Sequence, residues 1–472
     1  MPLNRGTKLT QKPKAECASS VKAATLDSLQ QLKLDAAGLD VGDTQIYACV
    51  PQGRDERSVR VFATFTADLH RLADWLAQCR VNSVAMESTG VYWIPIFQVL
   101  EARGFEVLLV NARYIKNVNG KKTDVLDCQW IQQLHSYGLL HASFRPDELT
   151  CVLRSFVRQR DMLLRGRASH IQHIQKALQQ MNLKLTNVLS DVTGTTGMRI
   201  VRDIIAGVRD PQQLAQHRDG RCHKTQIEIA KSLEGDYRLE HVFALQQAVE
   251  LYDFYTQQLK TCDIEIEQQL AAFVPKVNLN EQPLPPSPRR STTRPKKNHP
   301  QQDLRPALYQ MAGVDLTQVD GLDVPTVQTL LSEIGTDMNK WKSVKHFTSW
   351  LGLCPQPEKT GGKVLHTRTK KTNNRANLAF RQAAASLVHS KTALGNFYRR
   401  MRTKFGAPKA VVATAHKLAR IVYHMLKYQV HYAAIPPEQE DARYRQRALR
   451  RLQRQAHQLG ATIVFQPVSE AT

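Results

Sequence analysis

Between residues 36 and 110, short apolar runs alternate with polar turns and with stretches of helical spacing. The apolar runs predict strands, because they are four to eight residues long and bounded by turn residues such as Pro51-Gln52-Gly53. The strands are predicted at 36–41, 44–49, 58–65, 82–86 and 105–110. The helices are predicted at 67–79 and 91–102. Three strands followed by alternating helices and strands is the order of an α/β, ribonuclease-H-like fold.

From residue 146 onwards, the apolar positions recur mainly at helical spacing. Long helices are predicted here, with an apolar stripe that includes Phe156, Leu163 and Ile174. Antiparallel pairing within the chain would bury that stripe, and so would a dimeric coiled coil. The first of these helices is also lined by five arginines, at positions 154, 158, 160, 165 and 167.

The patterning divides the chain into six segments. They are a basic flexible arm at 1–34, an α/β domain at 35–145, a helical or coiled-coil domain at 146–273, a Pro-rich basic linker at 274–306, a mostly helical C-terminal domain at 307–435 and a basic C-terminal tail at 436–472. The linker contains six prolines between 283 and 300, which prevent regular structure. It is longer than an ordinary connection, so we expect it to be mobile or to become ordered on nucleic acid.

The net charge of the chain indicates which class of molecule it binds. Lys and Arg total 65 and Asp and Glu total 42, which gives a formal net charge of +23. Such an excess predicts a polyanionic partner, most often nucleic acid. No apolar run approaches the length of about 18 residues that a membrane helix needs. The eight cysteines form no CxxC pair, so no zinc site is predicted, and we expect a reducing cytoplasm and association with the nucleoid.

Four acidic residues fall at positions that suggest metal chemistry. Asp40 lies within a predicted strand, and Glu87 follows the next buried strand. Asp124 and Asp127 project from one face of a helix that Thr123 can cap. Taken alone, Asp124 and Asp127 are typical of acids that complement a helix dipole or are solvated. Together, the four carboxylates could hold two Mg²⁺ ions roughly 4 Å apart for phosphoryl transfer.

Three short motifs around these acids resemble the signatures of the DEDD insertion-sequence transposases. They are Gly38-Leu39-Asp40, Met86-Glu87-Ser88-Thr89-Gly90 and Lys122-Thr123-Asp124-Val125-Leu126-Asp127. That family couples a Holliday-junction-resolvase-like (RuvC-like) domain to a distinctive C-terminal transposase domain, and the resemblance covers about residues 36 to 430. It implies that the four acids are catalytic metal ligands and that the helical middle grips nucleic acid and mediates oligomerisation, as a dimer or tetramer. Lys121 and Lys122 are predicted to contact nucleic acid.

The C-terminal domain opens with Val319-Asp320-Gly321-Leu322-Asp323, which resembles a helix-hairpin-helix. In that motif a tight turn presents backbone N–H groups to a phosphate. An ordinary helix-turn-helix unit of the core is an equal alternative.

Further on, a predicted loop runs from Cys354 to Lys363. The family's corresponding loop has a nucleophilic serine directly before a pair of glycines, whereas this chain has Thr360 before Gly361 and Gly362. A threonine hydroxyl can attack phosphorus, although its methyl group crowds the approach. The residues predicted to bind nucleic acid here are Gly361, Gly362, Lys363, Arg368, Lys370, Lys371 and Arg375.

These features predict a transposase or site-specific DNA recombinase. The resemblance implies strand exchange through a covalent intermediate on Thr360, in a composite site where the metal-binding acids of one subunit meet the nucleophile of another. It also implies guidance by a structured RNA, encoded by the element, that pairs with donor and target DNA. Two alternatives remain: a structure-selective nuclease such as a junction resolvase, in which water attacks and Thr360 is irrelevant, and a non-catalytic nucleic-acid-binding protein.

Overall fold

The computed structural model describes residues 30–88, 90–111, 124–287 and 297–463. Its internal contacts divide the chain into two compact units, Met1–Arg145 and Pro146–Thr472. In the described residues, no helix is both long enough and apolar enough to cross a membrane.

The N-terminal unit is built on a mixed sheet, which has five strands within the described residues. They are β1 (Ala36–Val41), β2 (Gln45–Cys49), β3 (Val59–Ala63), β4 (Ser83–Glu87) and β5 (Glu106–Val110). The spatial order is β3-β2-β1-β4-β5. The first three strands are antiparallel to one another, whereas β4 runs parallel to both β1 and β5. This topology agrees with the ribonuclease-H-like arrangement expected from the sequence.

Helices cover both faces of the sheet. They are α1 (Thr66–Gln78), α2 (Trp93–Ala102) and α3 (Asp124–Ser136). Leu39 and Met86 share a core with apolar residues of α1 and α2, such as Leu72 and Ile96. Ala85 belongs to a separate core with residues of α3 on the other face. The central strands β1 and β4 are therefore buried on both sides, which explains why they are nearly continuous apolar runs.

A close approach of two backbones fixes α3 to the sheet. A Cβ atom at Gly38 would lie 2.8 Å from the Cα of Gln132 and would also collide with the carbonyl oxygen of Cys128. Only glycine fits there, because the colliding atoms belong to the helix backbone and cannot rotate away. The side chain of Gln132 adds a hydrogen bond of 3.2 Å to the carbonyl oxygen of Ala36. The glycine of the first sequence motif therefore brings α3 directly onto β1.

The first residues that the structure describes are attached to this unit. The backbone N–H groups of Leu32 and Lys33 both donate to the carbonyl oxygen of Ser136. The Lys33 ammonium lies 2.7 Å from the Glu106 carboxylate. The flexible arm expected over residues 1–34 therefore does not include these two residues, while residues 1–29 lie outside the described part.

Two long antiparallel helices dominate the first part of the C-terminal unit. They are α4 (Glu148–Gln180) and α9 (Leu239–Ala271), with the short helices α5 (Leu185–Val188), α6 (Thr195–Ile205), α7 (Pro211–Ala215) and α8 (Gln226–Ser232) between them. Cys262 donates to the Phe156 carbonyl oxygen, and Gly166 lies against Tyr255, so the helices run in opposite directions. Leu163 and Ile174 of the predicted apolar stripe are buried, whereas Val152 and Met162, which also belong to it, remain exposed. The antiparallel pairing within the chain, the first of the two that the sequence left open, therefore covers part of the stripe.

Two of the five arginines on α4 are buried rather than aligned for nucleic acid. Arg160 is 6% exposed and forms an ion pair with Asp263 of α9, and Arg167 is 7% exposed. Both also hold the end of the Pro-rich segment, because Arg160 donates to the Asn298 carbonyl oxygen and Arg167 to its side chain. This described end of the linker is therefore held by hydrogen bonds from α4, although Lys297 and Asn298 are exposed, and residues 288–296 lie outside the description.

The last part of the unit is a group of helices with one hairpin. The helices are α10 (Arg305–Ala312), α11 (Val324–Ile334), α12 (Val344–Trp350), α13 (Arg375–Ser386), α14 (Ala393–Phe405), α15 (Ala407–Tyr428) and α16 (Pro437–Gln458), with 3₁₀ turns at Leu316–Gln318, Met338–Lys340 and Leu387–His389. The hairpin consists of β6 (Pro355–Thr360) and β7 (Lys363–Thr369). Phe347 and Phe380 are the largest of the fully buried side chains.

Candidate active site

Asp40 and Glu87 are brought together by the register of the sheet. Leu39 pairs with Met86 across the parallel strands β1 and β4, so the next residue on each strand, Asp40 and Glu87, occupies a matching position. Parallel neighbours lie about 4.8 Å apart, and matching residues point to the same face. Both acids are partly buried. The first two acids predicted from the sequence are therefore adjacent.

The other two acids occupy the first turn of α3. Asp124 is its first residue and is exposed, and Asp127 is partly buried. The hydrogen bond to Cys49, burial and then the nearby Asp40 carboxylate raise the pKa of the Cys128 thiol. Asp40 therefore lies within electrostatic reach of Cys128, one residue beyond Asp127. The close contact at Gly38 explains this proximity, because it seats α3 on β1.

The donor set suits a hard divalent cation, since it consists of carboxylate oxygens. Within the described residues, however, no group of three or more His, Cys, Asp or Glu side chains is close enough together to hold a metal ion. Asp40 and Glu87 occupy matching positions on β1 and β4, whereas the structure does not gather Asp124 and Asp127 of α3 with them into one such group. The predicted residues Lys121, Lys122 and Thr123 lie outside the described part of the chain.

Thr360 stands at the tip of an exposed β-hairpin, where the sequence had predicted a loop. It is the last residue of β6 and pairs with Lys363, the first residue of β7. Gly361 and Gly362 form the turn between them with φ angles of 55° and 78°. A two-residue turn of type I′ needs positive φ at both positions, which glycine adopts without strain. The prolines of β6 are tolerated because a two-stranded ribbon has only edge strands.

The hairpin has little support from the rest of the protein. Every residue of β6 is exposed, and so are all residues of β7 except its last, Thr369, which is partly buried. Val364 and Leu365 are 53% and 64% exposed. An isolated two-stranded hairpin is at best marginally stable in water. The arrangement leaves Thr360, Lys363 and Arg368 accessible to solvent rather than packed in the protein interior.

A polar cavity of about 360 Å³ lies at the base of the hairpin. Its lining includes Gly352, Lys370, Lys371, Asn377 and Arg381. Three cationic side chains around a polar hollow are suited to a phosphate group. Lys370 and Lys371 were predicted from the sequence as nucleic-acid contacts, whereas Arg381 was not. No spacing in the sequence indicated Arg381, because the lining of the cavity combines residues from several elements.

Arg375 is engaged within the protein. Its guanidinium forms an ion pair of 2.9 Å with the Asp161 carboxylate of α4 and remains about one-third exposed. This contact ties the first turn of α13 to α4. Of the residues predicted to bind nucleic acid, Arg375 therefore also has a structural role.

The turn that resembles a helix-hairpin-helix faces protein on one side. A Cβ atom at Gly321 would lie 2.8 Å from the Ala383 carbonyl oxygen, and the backbone N–H of Leu322 donates to the Val319 carbonyl oxygen. The α11 helix is capped by Asp323, whose carboxylate accepts from the Thr326 N–H. These contacts favour the second of the two alternatives, an ordinary helix-turn-helix unit of the core, over a phosphate-binding turn.

Comparison with known families bears on both parts of the chain. Residues 37–183 match the transposase model of the IS110 DEDD group, and residues 314–399 match the transposase model of the IS116/IS110/IS902 family. The first match contains the four acids, and the second contains Thr360 and the hairpin. The search of curated proteins gave no significant match.

The two matches settle the general activity. Both domains of such a transposase are present in the expected order, and transposases act on DNA as their substrate. Nuclease domains of the DEDD type use divalent metal ions. The chain is therefore a DNA transposase, and it belongs to the IS110-type DEDD transposases.

Proposed function

We propose that this transposase cuts and rejoins the DNA strands of its own insertion sequence, using Thr360 as the nucleophile and a structured RNA from the same element as the guide. The observation that carries the proposal is the position of Thr360. Its hydroxyl lies at the exposed tip of a ribbon whose turn consists of glycines, so a DNA backbone can approach closely.

The DNA and the protein supply every atom whose bonds form or break in the covalent step. The Thr360 oxygen forms a bond to a backbone phosphorus, and the bond from that phosphorus to a DNA oxygen breaks. The proton lost by Thr360 is balanced by the proton gained by the released DNA hydroxyl. A hydroxyl of the second strand then attacks the phosphothreonine ester and restores Thr360, which exchanges the strands without loss of a phosphodiester bond.

The four acids have a separate role in this proposal. Asp40, Glu87, Asp124 and Asp127 would hold Mg²⁺, which supplies charge stabilisation to the phosphoryl group when it is bound. Asp40 on β1 and Glu87 on β4 would bind the ion, and Asp124 and Asp127 would reach it from α3, which Gly38 allows to approach β1. In the composite arrangement that we propose, these acids serve the Thr360 of another subunit in a dimer or tetramer.

The nucleic-acid contacts are assigned by charge and position. Lys363 and Arg368 are exposed on the hairpin, and Lys370 and Lys371 line the polar cavity at its base. Such cations neutralise backbone phosphates irrespective of sequence. Sequence choice would then come from base pairing of the guide RNA with donor and target DNA. The net charge of +23 is large enough to accommodate both polyanions.

A cleavage assay tests the proposal. The protein is incubated with Mg²⁺, with RNA transcribed from the DNA that flanks its reading frame, and with a labelled fragment of that DNA. The proposal predicts a covalent protein–DNA adduct that resists denaturation and depends on Thr360. Free nicked DNA without an adduct would instead support a nuclease that uses water. A mobility shift without cleavage under any condition would support a protein that only binds nucleic acid.

A further inference from the structure

The final described helix, α16, forms an ion pair and a ring contact with α14 through its first two turns. Of its 22 residues, Glu440 is the one that is buried. Asp441 forms an ion pair with Arg400 of α14, and the Arg400 guanidinium lies 4.7 Å from the centre of the Tyr444 ring. Most residues of the later turns are exposed, with arginines on several sides. The helix therefore contributes little to the core.

A cavity of about 520 Å³ lies between α14, α15 and α16. The α16 residues that line it are Glu440, Tyr444, Arg447, Ala448 and Arg451, which share one face at helical spacing. Six cationic side chains surround the cavity: Arg400, Lys404, Lys417, Arg420, Arg447 and Arg451. Glu440 is the only carboxylate in the lining that the structure describes.

Most of this charge is not neutralised within the protein. Glu440 lies 3.8 Å from the Arg400 guanidinium and 3.5 Å from the Lys417 ammonium, and Asp441 also pairs with Arg400, so the carboxylates serve two of the six cations. In the described part of the chain, Arg420, Arg447 and Arg451 form no ion pair. Burial and the charge of Arg420 lower the pKa of His416, which also lines the cavity, and this agrees with a positive local field. The cavity is therefore suited to an anion.

The volume of the cavity and its apolar lining residues indicate which class of anion it could bind. Phe397, Met401 and Phe405 contribute apolar surface, and Phe405 is 43% exposed. Lys417 lies over one face of the Phe397 ring and Lys404 over one face of the Phe405 ring, so the other faces and the ring edges provide this surface. One inorganic phosphate would fill a small part of 520 Å³ and would leave this apolar surface wet. A nucleotide combines a flat apolar base with a phosphate, and bases stack on aromatic rings and on guanidinium planes.

We propose that this cavity binds one unpaired nucleotide of a nucleic-acid strand. The base lies against Phe397, Met401 and Phe405, and Arg420, Arg447 and Arg451 hold its phosphate. The site lies outside the hairpin and the four acids, and it gives the basic C-terminal segment a defined role. The inference rests on the proposed function only in taking nucleic acid as the partner.

The test compares two double variants of the full-length protein. Arg447→Ala with Arg451→Ala removes two cations that line the cavity. Arg445→Ala with Arg450→Ala removes two cations from the same helix, and neither of these residues lines the cavity. Both variants lose the same net charge, so any non-specific electrostatic effect is matched. Unfolding curves should coincide, since the described residues offer no ion pair to any of the four arginines.

The probes are single-stranded twelve-residue oligoadenylates of RNA and of DNA, together with a DNA backbone of the same length that lacks bases. The cavity variant should bind the intact oligomers about tenfold more weakly than the control variant. With the base-free backbone, the difference between the two variants should be much smaller, because no base then anchors a phosphate beside these arginines. A third variant, Ala448→Leu, fills the cavity without a change in charge and should weaken binding of the intact oligomers alone.

Two results would overturn the inference. One is an equal loss of affinity in the two double variants, and the other is an equal loss for intact and base-free oligomers. A stronger effect with the RNA or with the DNA oligomer identifies the strand that occupies the cavity. Because these measurements need neither Mg²⁺ nor cleavage, their failure is distinct from a failure of the proposed strand exchange, which Asp40→Ala tests separately.

Discussion

Asp40 and Glu87 stand at matching positions on the parallel strands β1 and β4, one residue beyond the paired Leu39 and Met86. Two carboxylates at this spacing repel each other unless a cation or a proton lies between them. Their adjacency follows from strand register alone, and register is fixed because both strands are buried on both faces. The position of the acids is thus a consequence of the core.

The first prediction concerns these acids. Asp40→Ala or Asp127→Ala should reduce DNA cleavage to background, because each removes a ligand that the proposed cation needs. Folding and nucleic-acid affinity should change little, since loss of one carboxylate relieves repulsion. Asp43→Ala, at an exposed turn position next to β1, is the matched control and should cleave normally. Cleavage by either test variant at the wild-type rate with Mg²⁺ would exclude the assignment.

The second prediction concerns the contact between β1 and α3. Gly38→Ala should destabilise the N-terminal unit by about 3 kcal/mol, because the added methyl group collides with helix backbone that cannot move aside. Cleavage should fall as well, since α3 carries Asp124 and Asp127. Gly220→Ala is a suitable control, because a Cβ atom there meets nothing within 4 Å. Equal unfolding midpoints for the two variants would show that the close contact is absent in solution.

The third prediction concerns pH. Burial, followed by the charge of Lys33, lowers the pKa of His135 to about 4, while Glu106 acts in the opposite direction. The unfolded chain therefore binds a proton at this histidine near pH 6.5, before the folded protein does. Stability is complete above pH 6.5 and falls as the pH drops toward 4, by about 3 kcal/mol from this group. His135 is buried, and its ring lies 2.8 Å from the Ser83 hydroxyl.

A titration of unfolding tests this effect. His135→Gln keeps a polar group near Ser83 but cannot take up a proton in this range. The difference in unfolding free energy between pH 7 and pH 5 should be smaller in the variant than in the wild type by about 2 kcal/mol. If the two proteins lose the same stability over that interval, His135 does not titrate as its burial requires.

The fourth prediction concerns the cations at the base of the hairpin. Affinity for DNA or RNA should fall log-linearly with salt concentration, and Lys370→Ala with Lys371→Ala should make that slope shallower by about one to two. Arg375→Ala should change the slope less and the stability more, because its guanidinium is paired with Asp161. An unchanged slope in the lysine variant would place the phosphate contacts elsewhere.

Much of the fold could be predicted from local patterns. Strands β1 and β4 were visible because burial on both faces requires unbroken apolar runs, and α1 because Leu69, Leu72 and Leu76 recur at helical spacing. The local sequence did not predict the hairpin of β6 and β7. Its strands bury nothing, so their side chains carry no alternation, and the prolines of β6 suggested a loop.

Other features depend on residues far apart in the chain. From its local sequence, Arg160 resembles a surface cation. In the structure it pairs with Asp263, which lies 103 positions later in the chain. No spacing rule links residues on two long helices whose mutual alignment is set by tertiary packing. The same applies to Arg381 and to the α14–α16 cavity, whose linings combine residues from several elements. The proposal that Thr360 is a nucleophile likewise depends on its neighbours as well as on its hydroxyl group.

The measurement that tests the account most directly is the formation of a protein–DNA adduct by variants of Thr360. Mapping of the adduct by peptide mass analysis should place the DNA on Thr360 of the wild-type protein. Thr360→Ala and Thr360→Val should form no adduct and no exchanged strands yet bind RNA and DNA normally, whereas Thr360→Ser should stay active. The valine variant is the most specific test of the hydroxyl group, because it keeps the shape of threonine and removes only that group. Strand exchange at the wild-type rate by the alanine or valine variant would contradict the account and remove Thr360 from the mechanism.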